Sequence, residues 1–146
     1  MTTRKTTTDN TTSGTRKSTS ARGGEGKRPR GTRVDSRVLA LEVANAALEH
    51  KALKVEIIDV RGKVDYSDYV VIMSGRSDRQ VAALARNIEA TLDERGQRCI
   101  GVEGLPHAAW LLMDYGDVIV HIFHEDTRGY YDLETLWIDA ARVSMD

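Results

Sequence analysis

The stretch Tyr69-Val70-Val71-Ile72-Met73-Ser74-Gly75-Arg76-Ser77-Asp78-Arg79-Gln80-Val81-Ala82-Ala83-Leu84-Ala85-Arg86-Asn87-Ile88 joins two hydrophobic patterns of different period. Residues 69–73 are apolar without alternation, as expected of a strand covered on both faces of its sheet. Ser77 followed by Gln80 has the form of a capping box, in which each side chain bonds a free backbone N–H at the start of a helix. Behind it Val81, Leu84, Ala85, Ile88 and Leu92 recur at helical spacing, and Gly96 supplies a stop. A buried strand feeding an amphipathic helix requires a layered α/β fold.

Upstream, Asp35 or Ser36 can cap a helix running to about residue 50, with Val38, Leu41, Ala44 and Leu48 on one side. The β-branched run Val55-Glu56-Ile57-Ile58-Asp59-Val60 predicts a strand closed by a turn at Arg61-Gly62-Lys63. Downstream, three shorter strands are expected over Arg98–Glu103, Trp110–Asp114 and Asp117–Phe123. The last two are joined through Tyr115-Gly116, too tightly for anything except an antiparallel hairpin. Leu133, Leu136, Trp137, Ala140 and Ala141 predict a final helix with one apolar face. The expected class is α/β (α+β), in the order α-β-β-α-β-β-β-α. A mixed five-stranded sheet carries the helices, resembling a nucleotidyltransferase architecture without its active site.

The net charge of -1 conceals a division. Residues 1–33 hold nine Lys or Arg against Asp9 and Glu25, a net +7, while the remainder carries -8. The first segment has only Met1 and Ala21 as apolar side chains among Thr, Ser and Gly, so it cannot bury enough surface to offset ordering and reads as a disordered tail. Its Arg-rich, acid-poor composition also suits an organelle transit peptide, but the apolar face of such peptides is missing. Residues 34–146 read as one domain. Cys99 is the single cysteine, which rules out an intrachain disulfide and fits a reducing cytoplasm. No apolar run is long enough to span a membrane, and no secretory signal opens the chain.

Enzyme chemistry finds little support. Gly75-Arg76-Ser77-Asp78 lacks the spacing and Lys of a phosphate-cradling loop, and Gly101-Val102-Glu103-Gly104 cannot open a long helix before Pro106. His107, His121, His124 and Cys99 lack the short fixed spacings of zinc ligands, and His121 and His124 fall on opposite sides of a strand. Asp114 and Asp117 are the best paired carboxylates. A magnesium-holding pair needs two acids two residues apart on one strand, whereas these bracket a turn and suit bonds to local amides. Cys99 has no neighbouring His to activate it and reads as a small core residue in a strand. No cofactor and no metal are implied.

The body as a whole resembles a known family. Asp59-Val60, Ser67-Asp68-Tyr69-Val70-Val71-Ile72-Met73-Ser74-Gly75 and Ser77-Asp78-Arg79-Gln80-Val81 resemble the first signature block of the Iojap, or ribosomal silencing factor, family. Val102-Glu103-Gly104 and the run from Trp110 to Phe123 resemble the second, and Arg128, Tyr130 to Glu134 and Leu136-Trp137 the closing block. The resemblance spans about residues 36 to 140 in order. It implies a non-enzymatic protein of similar mixed-sheet fold, often a homodimer. Such a protein binds ribosomal protein L-fourteen on the large ribosomal subunit and prevents joining to the small subunit, repressing translation under nutrient limitation. Organellar relatives assist large-subunit assembly, so an assembly factor stays open, as does a minimal nucleotidyltransferase-like enzyme.

A blocking factor needs an anchoring patch, and Trp110 at a strand end is the foremost candidate, with burial in the core as its alternative. Leu112 and Asp114 alternate onto the same face, and an acidic group beside aromatics suits a basic ribosomal protein. Tyr115, His121, Tyr130 and Tyr131 complete the candidate partner set, His121 having strand packing as its plain alternative and one of the two tyrosines being a core candidate. Trp137 is expected in the core. Arg128 and Asp132 have the spacing of a solvated helix pair. The -8 of the body suits a protein partner better than RNA, whereas Arg28, Arg30 and Arg33 of the tail are candidates for auxiliary rRNA contact.

Overall fold

The computed structural model describes residues 35–104 and 109–145. The tail, with Arg28, Arg30 and Arg33, and Pro106-His107 lie outside the described residues. The chain runs α1 (Ser36–Glu49), β1 (Leu53–Asp59), β2 (Tyr69–Gly75), α2 (Asp78–Glu94), β3 (Gly101–Gly104), β4 (Trp110–Asp114), β5 (Val118–His124), α3 (Glu125–Tyr131) and α4 (Leu133–Leu136). The five strands form one sheet in the order β1-β2-β5-β4-β3. Only β2 and β5 run parallel, and the other neighbours are antiparallel. The mixed α/β class expected from the sequence is therefore observed.

β2 is buried along its whole length because a core lies on each side of it. Tyr69, Val71 and Met73 join Val120 and Ile122 of β5 and Met113 of β4 beneath α1 and α2. Val70 and Ile72 point the other way, to Phe123, Ile58, Trp137 and Ala140. α2 buries the five residues of its predicted stripe, Val81, Leu84, Ala85, Ile88 and Leu92. Its cap differs in one detail. Ser77 Oγ accepts from Gln80 N at 3.1 Å, but Gln80 Oε1 accepts from Arg76 N at 2.6 Å, one residue before the N–H that a capping box would use.

The β4–β5 hairpin forms, but its loop lies one residue later than the expected Tyr115-Gly116. Tyr115 N–H donates to Val118 O at 2.9 Å, leaving Gly116 and Asp117 as the loop, with Gly116 at φ +86°. A side chain would oppose that left-handed conformation. No described helix is long and apolar enough to cross a membrane.

Four expectations need correction. α1 is rotated: Leu39, Ala40, Val43, Ala44, Ala46 and Ala47 face the core, while Val38 and Leu48 are exposed. Alanines let the helix lie close to the sheet, so small residues and not the larger Val38 and Leu48 mark its inner face. β3 starts at Gly101 rather than Arg98, which leaves Cys99 in an irregular, half-buried segment instead of a strand. Burial pushes its thiol up to about 12, with Sγ donating to Gly101 O at 3.2 Å.

The final helix is broken. Asp132 adopts φ +51° and separates α3 from the single turn of α4; Trp137 and Ala140 are buried, but Leu136 and Ala141 are exposed. Asp is among the few side chains that tolerate that conformation. Arg128 does not pair with Asp132 in solvent. It is 6% exposed, its Nε donating to Glu134 Oε2 at 2.7 Å and its Nη1 to Lys54 O at 2.7 Å and Ser74 Oγ at 3.0 Å. A β-bulge in β1, with Lys54 at φ +51°, accompanies the carbonyl that receives this guanidinium.

Candidate functional site

The hairpin loop sets the site. With Tyr115 opposite Val118, the register places Asp114 beside Ile119, Leu112 beside His121 and Trp110 beside Phe123. Alternation then sends Trp110, Leu112 and Asp114 to the face away from α1 and α2, together with His121 and Phe123. Trp110, Leu112 and Asp114 are each half-buried.

Trp110 is the hub of an aromatic group. Its ring lies 5.0 Å from Phe123 in a stacked arrangement, 5.8 Å from His121 and 4.5 Å from Tyr131. Tyr131 reaches it from α3, a helix that begins directly at the end of β5. His124 Nδ1 caps that helix, accepting from Asp126 N at 3.1 Å. Tyr130 meets Tyr131 edge-on at 5.1 Å and is 83% exposed, so of the two tyrosines it is the more open to solvent. Neither tyrosine is buried. Arg128, held against β1 and β2, fixes the α3 turn that carries both rings.

Trp110 Nε1–H donates across the strands to His121 Nδ1 at 3.0 Å. His121 is 7% exposed, and burial draws its pKa down to about 4, so the ring is neutral near pH 7 with Nδ1 as an acceptor. Asp114 Oδ1 accepts from Gly116 N at 2.7 Å, a local turn bond of the kind anticipated for this acid. Asp117 is tied through its main chain, its carbonyl accepting from Asp68 N, Tyr69 N and Ser67 Oγ.

Two predicted partner residues cannot make direct side-chain contact as placed. Tyr115 is 1% exposed within the α1–α2 core, on the opposite face from Trp110. Desolvation, together with the nearby carboxylates Glu89 and Asp93, raises its phenol above its usual range. The hairpin turn carries the alternation past Asp114 and sends Tyr115 inward. His121 lies beneath Trp110 and not at the surface. The open set is therefore Trp110, Leu112, Asp114, Tyr130 and Tyr131. Phe123 was missed as the ring on which Trp110 rests. Strand alternation carried part of that signal by placing Phe123 on the face of His121, but its pairing with Trp110 depends on the loop being Gly116-Asp117.

Nothing in this face arranges a nucleophile beside a base, and no group of three His, Cys, Asp or Glu among the described residues could hold a metal ion. What it offers is an aromatic surface with an acidic neighbour. The family model for ribosomal silencing factor during starvation matches residues 33–146. The chain belongs to this family.

Among its relatives, the ribosomal silencing factor of Bacillus subtilis is 44% identical over 107 residues, covering 73% of this chain and 91% of that protein. A Mus musculus protein named mitochondrial assembly of ribosomal large subunit protein 1 is 32% identical over 92 residues, 61% of this chain and 40% of its own. A crystal structure of a protein from Chromobacterium violaceum superposes with a TM-score of 0.69 at 31% identity, covering 71% of this chain and 87% of the other.

Proposed function

We propose that the chain binds the large ribosomal subunit through ribosomal protein L-fourteen and so keeps the small subunit from joining, repressing translation. The observation that carries this reading is the Trp110 face. A half-buried tryptophan is backed by Phe123 and His121 and flanked by Tyr131 and the exposed Tyr130. Rigid aromatic anchors of this type contribute most of the energy at protein interfaces. Asp114 on the same face suits a basic partner, as does the -8 of residues 34–146. The same charge opposes rRNA as the partner of this body, while Arg28, Arg30 and Arg33 of the tail supply auxiliary phosphate contacts. The protein acts in the cytoplasm, without catalysis and without a cofactor.

Interferometry with purified L-fourteen and with isolated large subunits tests the reading. Wild-type protein should bind both, and Asp114→Lys should weaken binding by placing a cation against a basic partner. Absence of wild-type binding to either would sink it. A second reading, a factor for large-subunit assembly, is favoured by the name of the mouse relative. Depletion would then accumulate precursor particles during growth, whereas silencing predicts poor survival of starvation.

A further inference from the structure

We propose that His121 is a positioning residue for the docking face: its Nδ1 holds the Trp110 indole by the Nε1–H and so fixes the ring in the orientation that a partner meets. The inference rests on the docking reading above and deepens it. His121 is nearly inaccessible, so it cannot serve as a principal contact. It faces Leu112 in register, two residues along β5 from the Phe123 that faces Trp110. That diagonal spacing across an antiparallel pair lets a long side chain reach its neighbour.

An indole can spin about its side-chain bonds while still covering a flat neighbour such as Phe123. Stacking at 5.0 Å therefore restrains the plane of Trp110 but not which edge faces outward. The 3.0 Å hydrogen bond restrains the edge, turning Nε1 inward to His121. Indole has one donor and no acceptor, so once Nε1–H is committed the outward edge is wholly hydrocarbon. The partner then meets an apolar edge with no N–H left to satisfy, which suits burial in a dry pocket. The bond also requires the His121 proton to sit on Nε2, and the neutral ring is the form that burial favours. Tyr131 at 4.5 Å packs on the ring set in this way, so a rotated Trp110 would also displace the α3 contribution to the face.

The test separates positioning from both packing and docking. His121→Leu keeps the volume and removes the acceptor, while His121→Asn returns an oxygen near the Nδ1 position. The chain has two tryptophans, and Trp110→Phe assigns their indole N–H signals in a proton–nitrogen spectrum. In the free protein, His121→Leu should shift the Trp110 indole signal and speed its hydrogen exchange, and His121→Asn should restore both. Binding to L-fourteen should fall about tenfold in the leucine variant, the equivalent of one hydrogen bond, and recover with asparagine. In a Trp110→Phe background, which lacks the donor, His121→Leu should cost nothing further.

An unchanged indole signal in folded His121→Leu would overturn the proposal, as would full binding despite a freed indole, or penalties that simply add. If the leucine variant does not fold, Trp110→Phe removes the same bond from the donor side while keeping an aromatic ring over Phe123, and should lower binding to L-fourteen about tenfold; full binding by folded Trp110→Phe would overturn the inference. Failure of wild-type protein to bind L-fourteen or large subunits would overturn the docking reading itself, and with it the functional half of this one. The indole spectrum decides the hydrogen bond independently of any partner.

Discussion

At Trp110 a ring that could have been ordinary core instead sits half-buried over Phe123, while Trp137 on the same side of the sheet is only 6% exposed. The two should therefore respond differently to truncation. Trp110→Ala should stay folded and lose about 2 kcal/mol of binding to L-fourteen, roughly thirtyfold. Trp137→Ala should lose about 3–5 kcal/mol of stability by leaving a cavity. Chemical denaturation and interferometry on both variants check this, and equal unfolding of the two would return Trp110 to the core. His121 carries a pH signature. Its folded pKa is depressed by burial to about 4, from the 6.5 of a free histidine. As pH falls below 6.5 the unfolded chain takes up the proton first, so stability is full above that value and declines toward pH 4. Between pH 7 and pH 5 the wild type should lose roughly 2 kcal/mol more than His121→Leu in urea titrations. Parallel pH curves would show that His121 is not held neutral.

The elements divide by how local their signals are. α2 was legible except for the partner of Gln80, because one amphipathic stripe and one capping serine lie close together in sequence. The β4–β5 hairpin was legible as a hairpin but not in its register, because the loop expected at Tyr115-Gly116 is Gly116-Asp117, with the left-handed Gly116 in its first position. α1 was misread because its inner face is built from alanines, whose burial depends on how closely a neighbouring element approaches. The split between α3 and α4 turns on Asp132 in a left-handed conformation, and the buried Arg128 on partners 54 and 74 residues distant. Neither leaves a periodic trace. Of the candidate site, Trp110, Leu112 and Asp114 could be placed on one face by alternation, but the packing of Tyr131 on Trp110 could not, since it depends on how α3 leaves β5. Where the signal was local it can be tested locally. Ser77→Ala removes the oxygen that accepts from Gln80 N and should cost about 1 kcal/mol of stability by denaturation. A neutral substitution would mean that the Gln80–Arg76 bond alone secures the start of α2.

Over the whole molecule the division of charge matters more than its sum, +7 on residues 1–33 against -8 on the rest. Deleting residues 1–33 should leave the melting temperature within a degree or two, because almost nothing apolar is removed. It should weaken binding to large subunits more at low salt than at high, through loss of counterion release. A melting point lower by many degrees would make the tail part of the fold. The central claim is that the body, seated through the Trp110 face, occupies the surface where the subunits meet. Sucrose-gradient sedimentation of separated subunits, allowed to associate with and without a saturating excess of the protein, tests it most directly. The account predicts a reduced joined-ribosome peak with the protein comigrating with the large subunit, and recovery of that peak with Trp110→Ala. Equal joined peaks with and without the wild-type protein would contradict it.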